Sequence, residues 1–304
     1  MATPAISVII PAYNHERYIA PAIASVLEQS EGDLELIVID DGSTDHTWEV
    51  IQSIQDSRLV RRRQTNQDAY NTLNRGLHLA RGRWIAILNS DDRYAPQRLE
   101  RLRAEQQASE AVCLFSDVQP IDAAGREINA PDHPWQRWHQ TNRRYYFACG
   151  DLYQAFLKGN LMATSSNLFL TAAAARQVGD FCALRFLHDY DYIFRILQSF
   201  PGRVRYLAEE RLLYYRLHSA NTLREGAIRA REQDQEVIRK YLLAAMPEAV
   251  RPLAQAGTER LLELERELCR ERNRPPAAGY LDRLRNRLAA WIPIRLRRRL
   301  GGGA

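Results

Sequence analysis

The stretch Leu34-Glu-Leu-Ile-Val-Ile-Asp-Asp-Gly-Ser-Thr-Asp45 joins a run of apolar, mostly branched residues to a cluster of polar turn formers. The run predicts a buried strand, and the polar cluster predicts a turn that leads into a helix. The same order occurs on either side, where residues 6–10 run into Pro-Ala-Tyr-Asn at 11–14 and residues 84–88 run into Asn-Ser-Asp-Asp at 89–92. Three predicted strands therefore end in polar side chains.

The segments between these strands have the periodicity of amphipathic helices. Helices are predicted at residues 18–27, 44–54, 71–80 and 96–107, with further strands at 59–60 and 112–115. The alternation of strands and helices indicates an α/β fold with a mostly parallel sheet that helices cover on both faces. Ligands of such sheets bind beyond the carboxyl ends of the strands, so we expect the three polar clusters to meet at one crevice.

The second half of the chain has a less regular pattern. Residues 135–147 crowd five aromatic side chains into a segment with little period, and we predict a loop-rich excursion over 131–160 with a helix near 151–158. Aromatic faces suit sugar rings and lipids, so the excursion is expected to shape the specificity of the site. A regular pattern returns at 166–170 and at 190–197, where an amphipathic helix is predicted. Two short strands are predicted within 206–217, and charged helices at 232–245 and 258–272.

The composition is that of a soluble globular protein, with 45% hydrophobic and 26% charged residues among 304. The net charge of +5 is unevenly distributed. Residues 270–304 hold ten Arg against one Glu and one Asp, a net charge of +8, which leaves −3 on residues 1–269. The basic balance therefore belongs to the tail, and it gives no reason to expect a nucleic-acid partner for the main domain.

The cysteines and the apolar runs bear on the compartment. No two of the four cysteines have C-x-x-C spacing, which excludes a zinc ribbon and a thioredoxin-like motif. The first ten residues lack the pattern of a signal peptide, and no apolar run approaches the ~20 residues of a membrane-spanning helix. We therefore expect a cytoplasmic protein.

Asp91 and Asp92 form the first candidate for a chemical site. Neighbouring carboxylates at a strand end repel each other unless a cation lies between them. Mg²⁺ or Mn²⁺ would satisfy them and keep open positions for phosphate oxygens. The alternative, which the dipeptide alone favours, is a turn in which an Asp caps the helix that starts near Pro96.

Three further positions combine a structural and a functional interpretation. Asp41 either belongs to a turn before a helix or hydrogen-bonds the base or ribose of a nucleotide, and the two roles are compatible. Asp189, at the start of a helix, is stabilised there by the helix dipole, or takes a proton from a hydroxyl group if it faces the crevice. His218 is an ordinary surface or core residue unless it lies near Asp91, where it becomes a ligand.

Six blocks of the sequence together resemble the family 2 glycosyltransferases of the GT-A fold. The blocks are Ser7–Asn14, Leu36–Asp45, Asn74–Gly76, Ala80–Asp92, His188–Asp191 and Leu213–His218. Each block alone is a weak signal for this family, whereas the six blocks in this order are a strong one. The resemblance implies a GT-A type sheet, with a Rossmann-like nucleotide-binding half over 1–110, an acceptor-binding and catalytic half over 111–225, and a helical C-terminal extension over 226–304.

The resemblance also implies an activity and its residues. The enzyme would be an inverting glycosyltransferase of bacterial cell-surface polysaccharide or glycolipid synthesis. Its partners would be a nucleotide-diphosphate sugar and a glycan or lipid-linked acceptor, and its cofactor Mn²⁺ or Mg²⁺. The implied catalytic base is Asp189, and the implied metal ligands are Asp91 and His218. The donor-binding residues would be Pro11, Tyr13, Asp41, Asn89, Asp91 and Asp92.

Two departures from the family's pattern bear on function. Asn89 stands where the D-x-D motif begins with Asp, and His188 stands where the family often has Glu. The first departure keeps open an alternative, a catalytically inactive nucleotide-sugar-binding protein of the same fold. Because His188 replaces the usual Glu, the match of Asp189 to the family's catalytic base could be displaced along the sequence. A dinucleotide-dependent oxidoreductase is disfavoured because no glycine-rich fingerprint follows the first strand, and a nucleotidyltransferase because no glycine-rich basic loop does.

The C-terminal tail carries a second amphipathic pattern. Leu281, Leu284 and Leu288 share a helical face that arginines surround, with Trp291 beside it. Such a segment suits peripheral contact with the inner face of the cell membrane through residues 279–300. The alternative is a helix that packs on the body of the protein or on another subunit.

Overall fold

The computed structural model describes residues 3–218, 237–244 and 246–272. By their internal contacts the residues divide into two units, Met1–Pro252 and Leu253–Ala304. The predicted amphipathic segment at 279–300 lies outside the described residues, and the division of the main unit at residues 110 and 225 stays a prediction. No helix among the described residues is long and apolar enough to cross a membrane.

Strands and helices alternate along the first half of the main unit. The strands are β1 Ile6–Ala12, β2 Leu34–Asp40, β3 Leu59–Arg63, β4 Trp84–Ile87, β5 Arg93–Tyr94, β6 Cys113–Ile121, β7 Phe169–Thr171 and β8 Val204–Arg216. The helices are α1 Ile19–Leu27, α2 Thr47–Ser53, α3 Asp68–Leu79, α4 Arg98–Ser109, α5 Pro134–Cys149, α6 Leu152–Lys158, α7 Ala172–Val178, α8 His188–Ser199 and α9 Arg251–Arg272. A 3₁₀ turn at Ser165–Asn167 and a π-helical turn at Ile238–Leu243 complete the described elements.

The eight strands form one sheet in the order β3-β2-β1-β4-β7-β6-β8-β5. The pairs β1–β2, β2–β3 and β1–β4 are parallel, whereas β7 runs antiparallel to both β4 and β6. Because β1, β2 and β4 are parallel neighbours, their carboxyl ends meet at one edge of the sheet. The polar clusters that follow these strands are thereby brought together, as the alternating pattern predicts.

Strands β1 and β2 are buried on both faces, so most of their residues are apolar. Glu35, one of two acidic residues in β2, is paired inside this layer. Its carboxylate accepts hydrogen bonds from Ser7 Oγ over 2.6 Å and from the Arg81 guanidinium over 2.6 and 2.9 Å. Helix α3 lies close to β1 because Gly76 lacks a side chain, and a Cβ there would meet Ile9 Cγ2 at 2.3 Å.

The prediction of a loop-rich excursion over 131–160 is wrong, because Pro134–Cys149 is a continuous helix. The residues that α5 buries are polar, namely Gln136, His139 and Asn142. His139 Nε2 contacts Asp117 Oδ1 over 2.7 Å, and Gln136 Nε2 donates to the carbonyl of Ile128 over 2.7 Å. Since hydrogen bonds anchor this helix to the sheet, its sequence lacks the apolar period that would have indicated it.

The two short strands predicted within 206–217 are one long strand, β8. It pairs in parallel with β6, and the register shifts at Asp117 divide the ladder into two stretches. Such a bulge bends and twists a strand without ending it. The far end of β8 thereby carries Arg216 and His218 to the edge of the sheet where β4 ends.

Candidate active site

A cleft of about 830 Å³ opens at the carboxyl ends of β1, β2 and β4. Its volume lies within the range of small-molecule sites, about 300–1,000 Å³. Among the predicted site residues, those that line it are Pro11, Tyr13, Asp41, Asn89, Asp91 and Asp189. The structure therefore places one predicted group of donor-binding residues and the predicted base around the same space.

The loops after β1 and β2 hold each other in place. Asn14 has a positive φ of 51°, and its backbone N–H donates to Ser43 Oγ over 3.0 Å. Its side-chain oxygen accepts from the backbone N–H of Thr44 over 2.8 Å. Between these anchors, Tyr13 keeps 45% of its surface exposed on the cleft wall. An exposed aromatic ring on a braced loop is suited to stack against a flat ligand such as a nucleobase.

Asp41 is buried at the floor of the same end of the cleft. Its carboxylate accepts hydrogen bonds from Gln64 Nε2 over 2.7 Å and from the backbone N–H of Gln67 over 3.0 Å. Burial raises the pKa of Asp41, and these hydrogen bonds offset part of the rise. The tight turn after it requires Gly42, whose φ is +75° and whose Cβ would lie 2.9 Å from the backbone nitrogen of Asn66.

The side chain of Asn89 is held by the turn at residues 164–166. Its Nδ2 donates to Thr164 Oγ1 over 2.9 Å, and its Oδ1 accepts from Ser165 Oγ over 3.0 Å. The backbone N–H of Asn89 donates to Ser166 Oγ over 2.9 Å. Asn89 thus uses both ends of its amide to join the end of β4 to this turn, and it brings no negative charge to the cleft.

Asp91 and His218 lie together, as expected if His218 is a ligand. His218 Nε2 is 3.0 Å from Asp91 Oδ2, although 127 positions separate the two residues. Burial would raise the pKa of Asp91, but the hydrogen bond from His218 and the nearby His15 lower it below its usual value. Asp91 is therefore charged at neutral pH.

His15 is a site residue that the sequence interpretation missed. One oxygen or nitrogen atom from each of His15, Asp91 and His218 lies within 4.8 Å of the others. His15 Nδ1 is 2.7 Å from Ser90 Oγ, and burial lowers the pKa of the imidazole, which keeps it neutral near pH 7. Its position in the polar cluster after β1 was the one available signal, and a single histidine there has no specific meaning.

These three residues fit a divalent cation. Two imidazole nitrogens and one carboxylate oxygen are common ligands of divalent transition metals, and their separation is close to that of ligands around one ion. The carboxylate supplies negative charge, and both histidines can bind as neutral bases.

Asp92 has a different place from the one expected of a donor-binding side chain. It is fully buried behind the cleft, where Oδ2 accepts from Ser166 Oγ over 2.5 Å and Oδ1 from the backbone N–H of Arg216 over 2.9 Å. Burial and the charge of Asp91 raise the pKa of Asp92 well above its usual value. Asp92 therefore joins the end of β4 to the end of β8, and it does not line the cleft.

Asp189 begins helix α8 and lies on the cleft wall, 7% exposed. Its Oδ1 accepts from the backbone N–H of Tyr190 over 2.8 Å, and its Oδ2 accepts from Asn160 Nδ2 over 3.2 Å. Burial raises the pKa of Asp189 above its usual value. His188 also lines the cleft, with Nδ1 3.1 Å from the carbonyl of Leu184.

The wall near α8 is largely aromatic and apolar. It includes Trp138 from α5, and Tyr241 and Leu242 from the π-helical turn. That turn is attached to α8 through the buried Asp191, which lies 2.6 Å from both Lys240 Nζ and Tyr241 Oη. Of the predicted aromatic segment, Trp138 is thus the residue that reaches the cleft.

Comparison with known sequences gives the family. The sequence profile described as glycosyl transferase family 2 matches residues 7–166, more than half of the chain. An uncharacterized glycosyltransferase of Nostoc sp. is 28% identical over 232 residues, which cover 75% of this chain and 70% of that protein. A putative teichuronic acid biosynthesis glycosyltransferase of Bacillus subtilis is 40% identical over 141 residues, which cover 42% and 54%. A PGL/p-HBAD biosynthesis glycosyltransferase of Mycobacterium tuberculosis is 36% identical over 125 residues, which cover 39% of this chain and 48% of that protein. The matches therefore span only about half of the Bacillus and Mycobacterium proteins.

Solved structures give the fold. The crystal structure of residues 1–349 of S. aureus TarS in complex with UDP-GlcNAc has a TM-score of 0.58 at 18% identity. The match covers 83% of this chain and 71% of that one. A structure of the same TarS fragment gives the same TM-score at 19% identity, over 83% and 69%. The likeness confirms the predicted GT-A fold class, and with the profile match it leads to one conclusion: this chain belongs to glycosyltransferase family 2.

Proposed function

We propose that this glycosyltransferase moves a sugar from a nucleotide diphosphate donor to an acceptor hydroxyl, with inversion at the anomeric carbon. The observation that carries the proposal is the one cleft that Asp41, Asp91 and Asp189 line together. They supply a hydrogen-bond acceptor for a nucleoside, a ligand for a cation and a buried carboxylate that can act as a base. These groups can position the reactants and accept the proton, so transfer requires no nucleophilic side chain from the protein.

The donor end of the cleft is assigned to Pro11, Tyr13 and Asp41. The Tyr13 ring would stack on the base, and the Asp41 carboxylate would accept a hydrogen bond from the base or the ribose. UDP and UDP-GlcNAc are bound in crystal structures of TarS, a protein of the same fold. This favours a uridine nucleotide as the first donor to examine.

The cation is assigned to Asp91 and His218, with Mn²⁺ or Mg²⁺ as the metal. Family 2 enzymes in general depend on a divalent metal, and the paired side chains fit one. A cation bound there would offset the negative charge that grows on the departing diphosphate. Asn89 and Asp92 would then support the site from behind, since both are occupied by contacts with residues 164–166.

Asp189 is proposed as the general base. It would accept the proton of the acceptor hydroxyl while the oxygen forms its bond to the anomeric carbon and the bond to the diphosphate breaks. The raised pKa suits a proton acceptor, because a base works best when its pKa is not far below the working pH. Attack opposite the leaving group inverts the carbon and needs no covalent intermediate.

The acceptor is proposed to be a glycan or lipid-linked molecule of cell-surface polysaccharide or glycolipid synthesis. Two relatives are named for teichuronic acid and for PGL/p-HBAD biosynthesis, which supports this setting. The aromatic wall with Trp138 and Tyr241 is suited to a sugar ring or a lipid. The protein is proposed to work in the cytoplasm, at the inner face of the cell membrane.

Thermal shift and calorimetry with UDP, GDP, CMP and dTDP, each with and without Mn²⁺, test the proposal. One nucleotide is expected to bind in a metal-dependent manner, and Asp91→Ala is expected to abolish the metal dependence. If a folded protein responds to none of them, the cleft is not a donor site. Binding of an isotope-labelled donor without transfer or slow hydrolysis would favour the inactive nucleotide-sugar-binding protein.

A further inference from the structure

The loop after β1 brings a nitrogen ligand toward the cation site. His15 lies 76 positions from Asp91 and 203 from His218 in the sequence, yet one donor atom from each residue lies within 4.8 Å of the others. Two ligands about 2.1 Å from one metal ion are at most ~4.2 Å apart. The observed spread therefore requires only a small adjustment of side chains for all three residues to share an ion.

The two imidazole rings meet edge to face, a geometry compatible with a shared ligand. Their centroids are 5.8 Å apart and their planes are at 84°, so the faces do not overlap. The ring nitrogens carry their lone pairs in the ring planes, and the His218 ring presents its edge to the carboxylate, with Nε2 3.0 Å from Asp91 Oδ2. An edge-on pair of this kind can bind one cation from two sides.

Ser90 fixes the orientation of His15. The distance of 2.7 Å between His15 Nδ1 and Ser90 Oγ occupies one ring nitrogen, which leaves Nε2 for a metal. The backbone of His15 is anchored as well, because its N–H donates to Thr47 Oγ1 over 2.8 Å. A hydrogen bond at the second nitrogen is the usual arrangement around histidines that bind metals, where it sets the tautomer and the ring angle.

The polar side chains next to Asp91 in the sequence form hydrogen bonds with other residues, so few oxygen ligands remain for a cation. The amide of Asn89 is taken up by Thr164 and Ser165, and the carboxylate of Asp92 by Ser166 and the backbone of Arg216. Of residues 89–92, Asp91 is the one whose carboxylate faces the cleft. A nitrogen atom from another segment of the chain would supply a further ligand.

We propose that His15 is a third protein ligand of this site, so that two imidazole nitrogens and one carboxylate bind the cation and select a transition metal such as Mn²⁺ over Mg²⁺. The inference rests on the proposed function, since it concerns the cation of the same reaction. Selectivity follows because first-row transition metals accept imidazole ligands, Mn²⁺ the most weakly among them, whereas Mg²⁺ prefers oxygen ligands and gives up its water reluctantly.

The test is metal binding by the full-length protein, without any substrate. Mn²⁺ and Mg²⁺ are titrated into wild-type protein, His15→Ala and, as a matched control, His78→Ala, whose exposed side chain pairs with Asp180 away from the cleft. His15→Ala is expected to weaken Mn²⁺ binding about 10- to 100-fold and Mg²⁺ binding much less, while His78→Ala binds both as wild type does. Circular dichroism and thermal melting establish that each variant is folded.

Pulsed electron paramagnetic resonance of bound Mn²⁺ counts the nitrogen ligands directly. Two coupled imidazole nitrogens are expected in the wild-type protein and one in His15→Ala. Equal Mn²⁺ affinity and an unchanged nitrogen coupling in His15→Ala, with binding abolished in Asp91→Ala, would overturn the role of His15 and leave the proposed function intact. Unchanged metal binding in both variants would place the cation elsewhere and overturn both proposals.

Discussion

Asn160 donates a hydrogen bond from Nδ2 to Oδ2 of Asp189 over 3.2 Å, and both residues line the cleft. The contact favours the charged carboxylate, and with the neighbouring His188 and the backbone N–H of Tyr190 it opposes the effect of burial. Burial is the larger influence, so the pKa of Asp189 lies above the usual 3.8. Asn160 thus limits how far the pKa of the proposed base is raised.

Asn160→Ala is expected to shift the pH profile of transfer. A base must be deprotonated, so kcat/KM falls as the pH drops through the pKa of Asp189, and this acid limb lies above pH 3.8. Loss of the hydrogen bond raises the pKa further and moves the limb to higher pH. Asn129→Ala, an exposed change outside the cleft, should leave the profile in place. An unmoved acid limb in Asn160→Ala would show that another group is the base.

Asp189→Asn separates catalysis from stability. Replacement of a general base is expected to lower kcat about 10²- to 10⁴-fold, with nucleotide affinity unchanged. The raised pKa means that folding disfavours the charged carboxylate, and this cost grows between the usual pKa of 3.8 and the raised pKa and is fully present above it. The variant should therefore melt at or above the wild-type temperature at neutral pH. Undiminished turnover in the folded variant would remove Asp189 from the mechanism.

Asp41→Asn is expected to weaken nucleotide binding and spare metal binding. The carboxylate is held by Gln64 and by the backbone of Gln67, so the amide would keep the place but lose the charge. Loss of one charged hydrogen bond corresponds to a Kd about 10- to 100-fold higher. Calorimetry with the nucleotide identified in the panel measures the change, with the exposed Asp33→Asn as the control. If Asp41→Asn and Asp33→Asn bind the nucleotide equally well, the nucleobase binds elsewhere.

Tyr241→Phe tests the attachment of the π-helical turn to α8. The Tyr241 hydroxyl is 2.6 Å from Oδ1 of the buried Asp191, and the ring stacks on Phe194 at 4.4 Å. The variant keeps the ring contact and removes only the hydroxyl, which donates to the Asp191 carboxylate over 2.6 Å and lies 3.3 Å from its backbone carbonyl. A loss of roughly 1–2 kcal/mol in the free energy of unfolding is expected in urea titrations. Tyr145→Phe, on the exposed face of α5, should cost nothing measurable, and equal losses in the two variants would contradict this account.

Deletion of residues 275–304 tests the proposed membrane contact. The deleted segment carries the basic amphipathic pattern at 279–300, which should bind anionic headgroups. Full-length protein is expected in the membrane fraction and the truncated protein in the supernatant. Sedimentation with vesicles that contain anionic lipid gives the same comparison with purified components. Identical partitioning of the two proteins would refute the contact.

Strands β1, β2 and β4 could be predicted because they are mostly apolar runs, such as residues 34–39, that end in turn formers. Helix α5 could not, since its buried side carries Gln136, His139 and Asn142, and only the finished structure shows their partners. The bulge at Asp117 likewise depends on how β6 and β8 pair, which no local pattern reveals.

The site was predictable where a residue follows a strand and belongs to a recognisable block, as with Asp41 and Asp91. Which of two adjacent carboxylates faces the cleft depends on partners far along the chain, and Arg216 and Ser166 turn Asp92 away from it. His15 had no motif to mark it, because its meaning comes from Asp91 and His218 in space.

The contact between Asp91 and His218 also has a consequence for how the chain folds. It closes a loop of 127 positions, and it can form only after β8 has run along β6 to the edge of the sheet. Contacts so distant in sequence form late, after the local helices and hairpins. A cation that needs both side chains would therefore bind only the completed chain and would stabilise it by mass action. Uptake of the ion during refolding would therefore report the time at which the end of β8 reaches Asp91.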